Sequence, residues 1–367
     1  MKGEGMIRTA ADLESVCDSA RDEGILSLDT EFVWRSTYRP QLGLVQVGTR
    51  SVCGAVDCLA GFSPASLGAA LADPSIVKIL HDARQDLTHL RHYTGGTPVN
   101  VFDTQLAAAF AGFQGGIGLQ KLLFEAIDVG LPKTETLTDW MRRPLSDAQV
   151  KYALDDVRYL PALRDELLKR CDALGTRAWL EEDLKKYDDP SLYADYDPEE
   201  VWKRVKTGRR RIDGRGFAVL RAVAALREEL AQKWNVPRNW AGDDESLAEM
   251  AEKGKVGHFA HRLRGGMADV ARAKYEKAVE SALALPEDEL PENPRPHYIR
   301  EVLEASDEAI AWLRANADAI HVDAGVIASR ATVTAFVDNV EDETNPLAHG
   351  WRAEVVGREI ATRFGVE

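Results

Sequence analysis

The feature that most limits what this chain can become is a change of rhythm along it. Through roughly the first 190 residues, apolar runs of strand length alternate with stretches of helical period; beyond about residue 200 only the helical period remains. ILSLDTEF reads as a strand entering from a turn at Gly24. LGLVQVGT and SVCGAVDC read as two more, parted by Thr49–Ser51, and connections this short predict an antiparallel meander. VKILH and VNVFD are a fourth and a fifth strand, leading into helices over Arg84–Tyr93 and Thr104–Phe113. Strands that alternate with helices pair in parallel through crossovers. The expected outcome is a mixed sheet flanked by helices, an α/β domain.

The second half reads differently. Lys185–Glu200 is polar, carries Pro190 and Pro198, and predicts a linker. Phe217–Asn235 then places Val219, Leu220, Val223, Leu226 and Leu230 on one helix face. DESLAEMAEK starts another helix, with Asp244 as its expected cap. The proline-rich stretch Leu285–Pro296 reads as a second linker, and the remainder is helical, broken at Gly325 and Gly350. A chain of 367 residues is too long for one ordinary core, so two or three domains are expected.

Charge follows the same division. The net charge of -14 argues against an anionic partner, but residues 200–285 hold 18 Lys and Arg against 12 Asp and Glu. Local fields govern association more than the whole-chain sum does. No apolar run reaches the roughly 18 residues a membrane span needs, and MKGEGMIRTAADLES has no apolar h-region, so neither a membrane nor secretion is expected. Cys17, Cys53, Cys58 and Cys171 form no CxxC pair and stand with no histidine cluster. Reduced buried thiols in the cytoplasm are the expectation, not zinc or disulfides.

Four carboxylates and a phenol carry the chemistry. Asp29 and Glu31 stand at i and i+2 on the first strand and so share a face, where unpaired burial costs several kcal/mol per charge unless a cation is bound. A solvated turn after the strand explains the same pair. Tyr152 and Asp156 stand at i and i+4 in the helical pattern Asp147–Leu160 and share a helix face, whereas Asp155 points about 100° away. Asp86 begins the helix after the fourth strand; there it serves the helix dipole, or a site at the strand's end. Each signal alone is weak, and the strength lies in their order.

Residues 1–170 resemble the exonuclease domain of the ribonuclease D family, in the DEDD superfamily of 3′→5′ exonucleases. The matching stretches are LDTEFVWRSTYRPQLGLVQVG, KILHDARQDL, FDTQLAAAF, TDWMRRPLS and YALDDVRYL. A tyrosine four residues before the last aspartate resembles the DEDDy branch. The resemblance implies a ribonuclease H-like fold and hydrolysis of RNA from its free 3′ end to 5′-mononucleotides. It also implies two divalent ions, Mg²⁺ or Mn²⁺, held by Asp29, Glu31, Asp86 and Asp156, with Tyr152 orienting the water. Oxygen-rich ligand sets suit those hard ions rather than zinc. A phenol at neutral pH is a positioner rather than a strong base.

Phe32 is a candidate base-stacking residue, or core; Trp140 and Lys133 sit where family members have a loop near the substrate. Residues 200–285 resemble an HRDC module, with a basic cluster including Arg209 and Arg210 that suits a phosphate backbone or a solvated face. The expected domains are thus 1–188, 199–286 and 297–367, the last a diverged second HRDC-like bundle of structural role. The resemblance implies transfer-RNA precursors and other small structured RNA as substrates, and a monomer is expected. A DNA 3′→5′ exonuclease and a catalytically dead nucleic-acid-binding protein are the alternatives. A P-loop helicase is excluded, because no GxxxxGK[ST] is present.

Overall fold

Strand β2 (Ile25–Val33) runs near the middle of a six-stranded sheet of order β1-β4-β3-β2-β5-β6. The other strands are β1 (Gly5–Ile7), β3 (Gln41–Gly48), β4 (Cys53–Asp57), β5 (Val77–Leu80) and β6 (Val101–Asp103). β3 and β4 pair antiparallel, while β2–β5, β5–β6 and β1–β4 pair parallel. The sheet is therefore mixed, as the rhythm of the sequence predicts. Only β1 is unanticipated, because GMI is too short to show a period. This computed structural model describes residues 5–131, 138–258, 261–294 and 297–366.

Alternation along the strands sorts side chains onto two faces. Leu26, Leu28, Val45, Val47 and Leu80 bury with α1 (Ala10–Glu23), α2 (Ala65–Ala72) and α3 (Ala83–Thr94). Ile25, Leu44 and Ile79 face the other way, against α4 (Thr104–Phe110), α5 (Leu119–Ile127), α6 (Asp147–Arg158), α7 (Leu160–Leu174) and α8 (Arg177–Leu184). Each fully buried leucine contributes about 1.5–3 kcal/mol, so a one-residue slip of β2 would be prohibitive.

By packing, the chain forms two compact units. The first comprises residues 1–32, 42–194 and 298–367; the second comprises 33–41 and 195–297. In the first unit the C-terminal helices enter the sheet's own core. Trp351 stacks on Trp179 at 5.2 Å and 14°, and Arg352 pairs with Asp183. The stretch Lys185–Glu200 is not a plain linker. Its polar run hides Tyr187 and Tyr193, both buried, in short 3-10 turns. Aromatic anchors set six residues apart leave no period to read.

The second unit centres on α9 (Gly214–Lys233), which packs with α10 (Arg238–Ala241), α11 (Asp244–Lys253) and α12 (Met267–Leu283). The expected helix Phe217–Asn235 starts three residues earlier, where Asp213 accepts from the Gly216 amide. Asp243, not Asp244, caps α11; Asp244 turns to Arg227 at 2.7 Å. Tyr38, from the segment 33–41, packs onto this core.

Candidate active site

β2 delivers the first two carboxylates. Asp29 and Glu31 have the same parity as Ile25, so they face the α6 side of the sheet. α6 is set by its start: Ser146 accepts from the Gln149 amide at 3.2 Å while the Gln149 side chain accepts from the Ser146 amide at 2.8 Å. Such a reciprocal cap fixes the helix origin, and hence the rotation of every later residue. Asp156 thereby turns toward β2, and Asp29, Glu31 and Asp156 each offer an oxygen within 4.8 Å of the others. Its neighbour Asp155 turns away to Lys151 at 2.6 Å and Arg158 at 3.3 Å.

Asp86 arrives from the opposite face. Thr30, which points to the α3 side, donates its hydroxyl to Asp86. The turn that launches α3 is held by Asp103, a buried carboxylate at the end of β6. It accepts from the amides of Asp82, Ala83, Gln105 and Leu106 at 2.9–3.3 Å, and from the Tyr187 hydroxyl. Asp103 therefore ties two helix starts and a distant tyrosine into one frame around Asp86.

Electrostatics set these four acids apart. Burial, then the charges of Asp86, Asp156 and Glu31, pushes the Asp29 carboxyl well above its ordinary range. Burial followed by Asp156 and Asp86 raises Glu31 to about 8. Asp156 rises to about 7 through burial and Asp155. Asp86 rises to about 6, burial outweighing the Thr30 hydroxyl that pulls it down. The charges acting on these groups are other carboxylates. A cluster of like charges out of water is unstable as it stands, and a divalent cation among hard oxygen ligands is the remedy. The residues present fit such an ion.

Tyr152 lies one turn before Asp156 and stacks on Trp140, with ring centroids 6.4 Å apart and planes 26° apart. Trp140 is held in turn. Gly43 of β3 has no side chain because a Cβ there would strike the Trp140 carbonyl. Arg143 donates to the Gly43 and Trp140 carbonyls at 2.7 and 2.8 Å and pairs with Asp57 at 2.7 Å. At 4% exposure Trp140 has almost no free face for a base. Its ring packs against the phenol of Tyr152.

The remaining candidates scatter. Phe32 is half-buried and edge-on to His89, with centroids 4.6 Å apart. Lys133 lies outside the described residues. Arg209 is exposed, whereas Arg210 is drawn to Glu245 and Glu252. His81 is structural, its Nε2 donating to the Ile117 carbonyl at 3.0 Å.

Sequence reasoning missed Gln46. It is fully buried on β3, and its amide donates to Asp29 Oδ2 at 3.2 Å. A glutamine inside the apolar run LGLVQVG was the available signal, since such residues are seldom buried without a task. Asp103 carried no such mark, because an aspartate before a helix is explained by capping alone.

Comparison with known proteins agrees with this geometry. Residues 5–172 match the family model described as 3'-5' exonuclease. A ribonuclease D from Gluconacetobacter diazotrophicus is 37% identical over 371 aligned residues, 96% of this chain and 91% of that one. The chain belongs to the ribonuclease D family. A second ribonuclease D, from Desulfotalea psychrophila, is 41% identical over 68% of this chain and 67% of its own. The crystal structure of Escherichia coli RNase D, titled an exoribonuclease involved in structured RNA processing, superposes with a TM-score of 0.84 at 28% identity, covering 97% of both chains. The ribonuclease H-like sheet with helical additions and the 3′→5′ exoribonuclease activity thus stand together as this chain's fold and chemistry.

Proposed function

We propose that this enzyme removes nucleotides one at a time from the free 3′ hydroxyl end of structured RNA, transfer-RNA precursors among them. The observation that carries the reading is the meeting of Asp29, Glu31 and Asp156 from β2 and α6, with Asp86 near enough for its charge to raise Asp29 and Glu31. These four side chains would hold two Mg²⁺ or Mn²⁺ ions, which when bound activate a water and offset charge on the departing oxygen. Gln46 fixes the rotation of Asp29, and Thr30 that of Asp86. Tyr152, backed by Trp140, orients the attacking water by a hydrogen bond. The water oxygen bonds to the terminal phosphorus, the bond to the 3′ oxygen breaks, and that oxygen takes a proton. A 5′-mononucleotide leaves and a new 3′ hydroxyl remains.

Residues 199–286 would serve as an HRDC-type RNA-binding module and 297–367 as a diverged relative of it, in a monomer. A cytoplasmic setting is supported by Cys17, Cys53, Cys58 and Cys171, four thiols that form no disulfide with one another. Among the described residues no helix is long and apolar enough to cross a membrane. The test offers RNA with a 3′ hydroxyl or a 3′ phosphate, in Mg²⁺, Mn²⁺ or EDTA, beside DNA of the same sequence. Mononucleotides from the 3′ hydroxyl RNA, abolished by EDTA, are expected. Internal fragments, or cleavage that survives the chelator, overturn the mechanism, and preference for the DNA overturns the substrate.

A further inference from the structure

The helical unit holds a cavity of about 450 Å³, within the range of small-ligand sites and unused by the acid centre. Its walls include Trp34, Arg35, Tyr38, Arg238, Trp240 and Arg262. Three guanidinium groups, two indoles and a phenol line it, and no carboxylate does. Glu228, which does not line it, is spent on Arg238 at 2.6 Å and on the Tyr38 hydroxyl.

Part of this lining is preset. Arg238 sits 5.2 Å from the Tyr38 ring centroid and 4.8 Å from that of Tyr196 while bonded to Glu228. The Arg262 amide donates to the Trp240 carbonyl at 3.0 Å, which fixes that part of the backbone beside Trp240. The other walls are open. Trp34 is 54% exposed, although an indole this accessible gains little from the core. Arg262 is exposed and makes no ion pair among the described residues.

We infer that this cavity binds one nucleotide of single-stranded RNA, its base against the Trp34 indole and an adjoining phosphate on Arg262. Aromatic faces take any base, because every base has a π-face, and a guanidinium neutralises the backbone without reading sequence. The positive surplus of residues 200–285 gives the same complementarity on a larger scale. Neither an acidic lining nor a continuous apolar floor is present, so a cation or an amphipathic helix is a poor occupant. The inference rests on the exoribonuclease reading, since that supplies the RNA. It adds a grip made of residues other than the carboxylates, on a segment whose Trp34 follows Glu31 by three residues in the chain.

The test measures anisotropy of a 5′-fluorescein 12-nucleotide oligo(U) with the full chain in EDTA, at several salt concentrations. A blunt 12-base-pair RNA duplex is the control. Trp34→Ala is expected to weaken oligo(U) binding about tenfold, with Trp34→Phe restoring most of it. Arg262→Ala is expected to lower the slope of log affinity against log salt by about one. Both side chains are exposed, so the variants keep the fold. Unchanged oligo(U) affinity in both Ala variants, or a duplex bound as tightly as the single strand, overturns the inference. Cleavage of a trinucleotide in Mn²⁺ is scored separately. Loss of cleavage in the wild type sinks the exoribonuclease reading, whereas normal cleavage with Trp34-independent binding sinks the cavity alone.

Discussion

Two regions of this molecule bury acid, and they solve the problem in opposite ways. In the helical unit Glu228 is 1% exposed, yet bonds from Arg238 and Tyr38 outweigh burial and hold its carboxyl below the ordinary range. In the sheet unit Asp29, Glu31, Asp86 and Asp156 feel burial and the charges of neighbouring carboxylates, and all four carboxyls are pushed up. A buried acid with its counter-charge beside it is architecture. A half-buried set of acids beside further acids is a receptacle for charge from outside.

The comparison is tested most severely by neutralising one member of each region. Asp29→Asn should cut kcat by about 10³-fold or more, several kcal/mol of transition-state stabilisation. The same variant should melt higher than the wild type when both are metal-free at pH 8, because a repelled charge is gone. In the helical unit the sign reverses: Arg238→Ala strands Glu228 and should cost about 3 kcal/mol in denaturant unfolding. If Asp29→Asn melts lower and Arg238→Ala is neutral, the contrast between the regions fails.

Smaller effects sharpen the picture within the sheet unit. Tyr152→Phe should lower kcat by about 10²-fold with metal affinity intact, measured by single-turnover cleavage against Mn²⁺ titration. Gln46→Leu should do the converse, raising the half-saturating Mn²⁺ concentration about tenfold, as loss of an outer-shell partner does.

The gentlest expectation concerns pH. The raised carboxyls keep protons in the folded state that the unfolded chain has lost, between the ordinary carboxylate range and about 8. Stability of the metal-free protein therefore falls as pH rises through that window, since the folded state there binds more protons. A drop in Tm of roughly 5 °C between pH 5 and 8, flattened by Mn²⁺, is the expected calorimetric result.

The sheet was legible because β2, β3 and β5 are long enough to show their period, and because Gly24 and the Thr49–Ser51 turn mark their ends. The acids were legible by order and embedding, and their shared centre follows from parity on β2 and one turn of α6. What lay out of reach is what depends on distant partners. Asp103 reads as a cap until Tyr187 and the α3 turn are found on it. Trp140 reads as part of a loop near the substrate, and nothing local announces that Gly43 and Arg143 hold it in the interior. The assignment of residues 33–41 to the helical unit has no local signal, because Tyr38 meets Glu228 across 190 positions.

The entry of residues 298–367 into the sheet's core has a consequence for how the molecule holds together. The carboxylates belong to the first 156 residues, yet Trp351 and Ile360 share one hydrophobic core with that segment. Removing residues 298–367 would uncover part of that interior, so the shortened chain is expected to melt at a lower temperature than the full one.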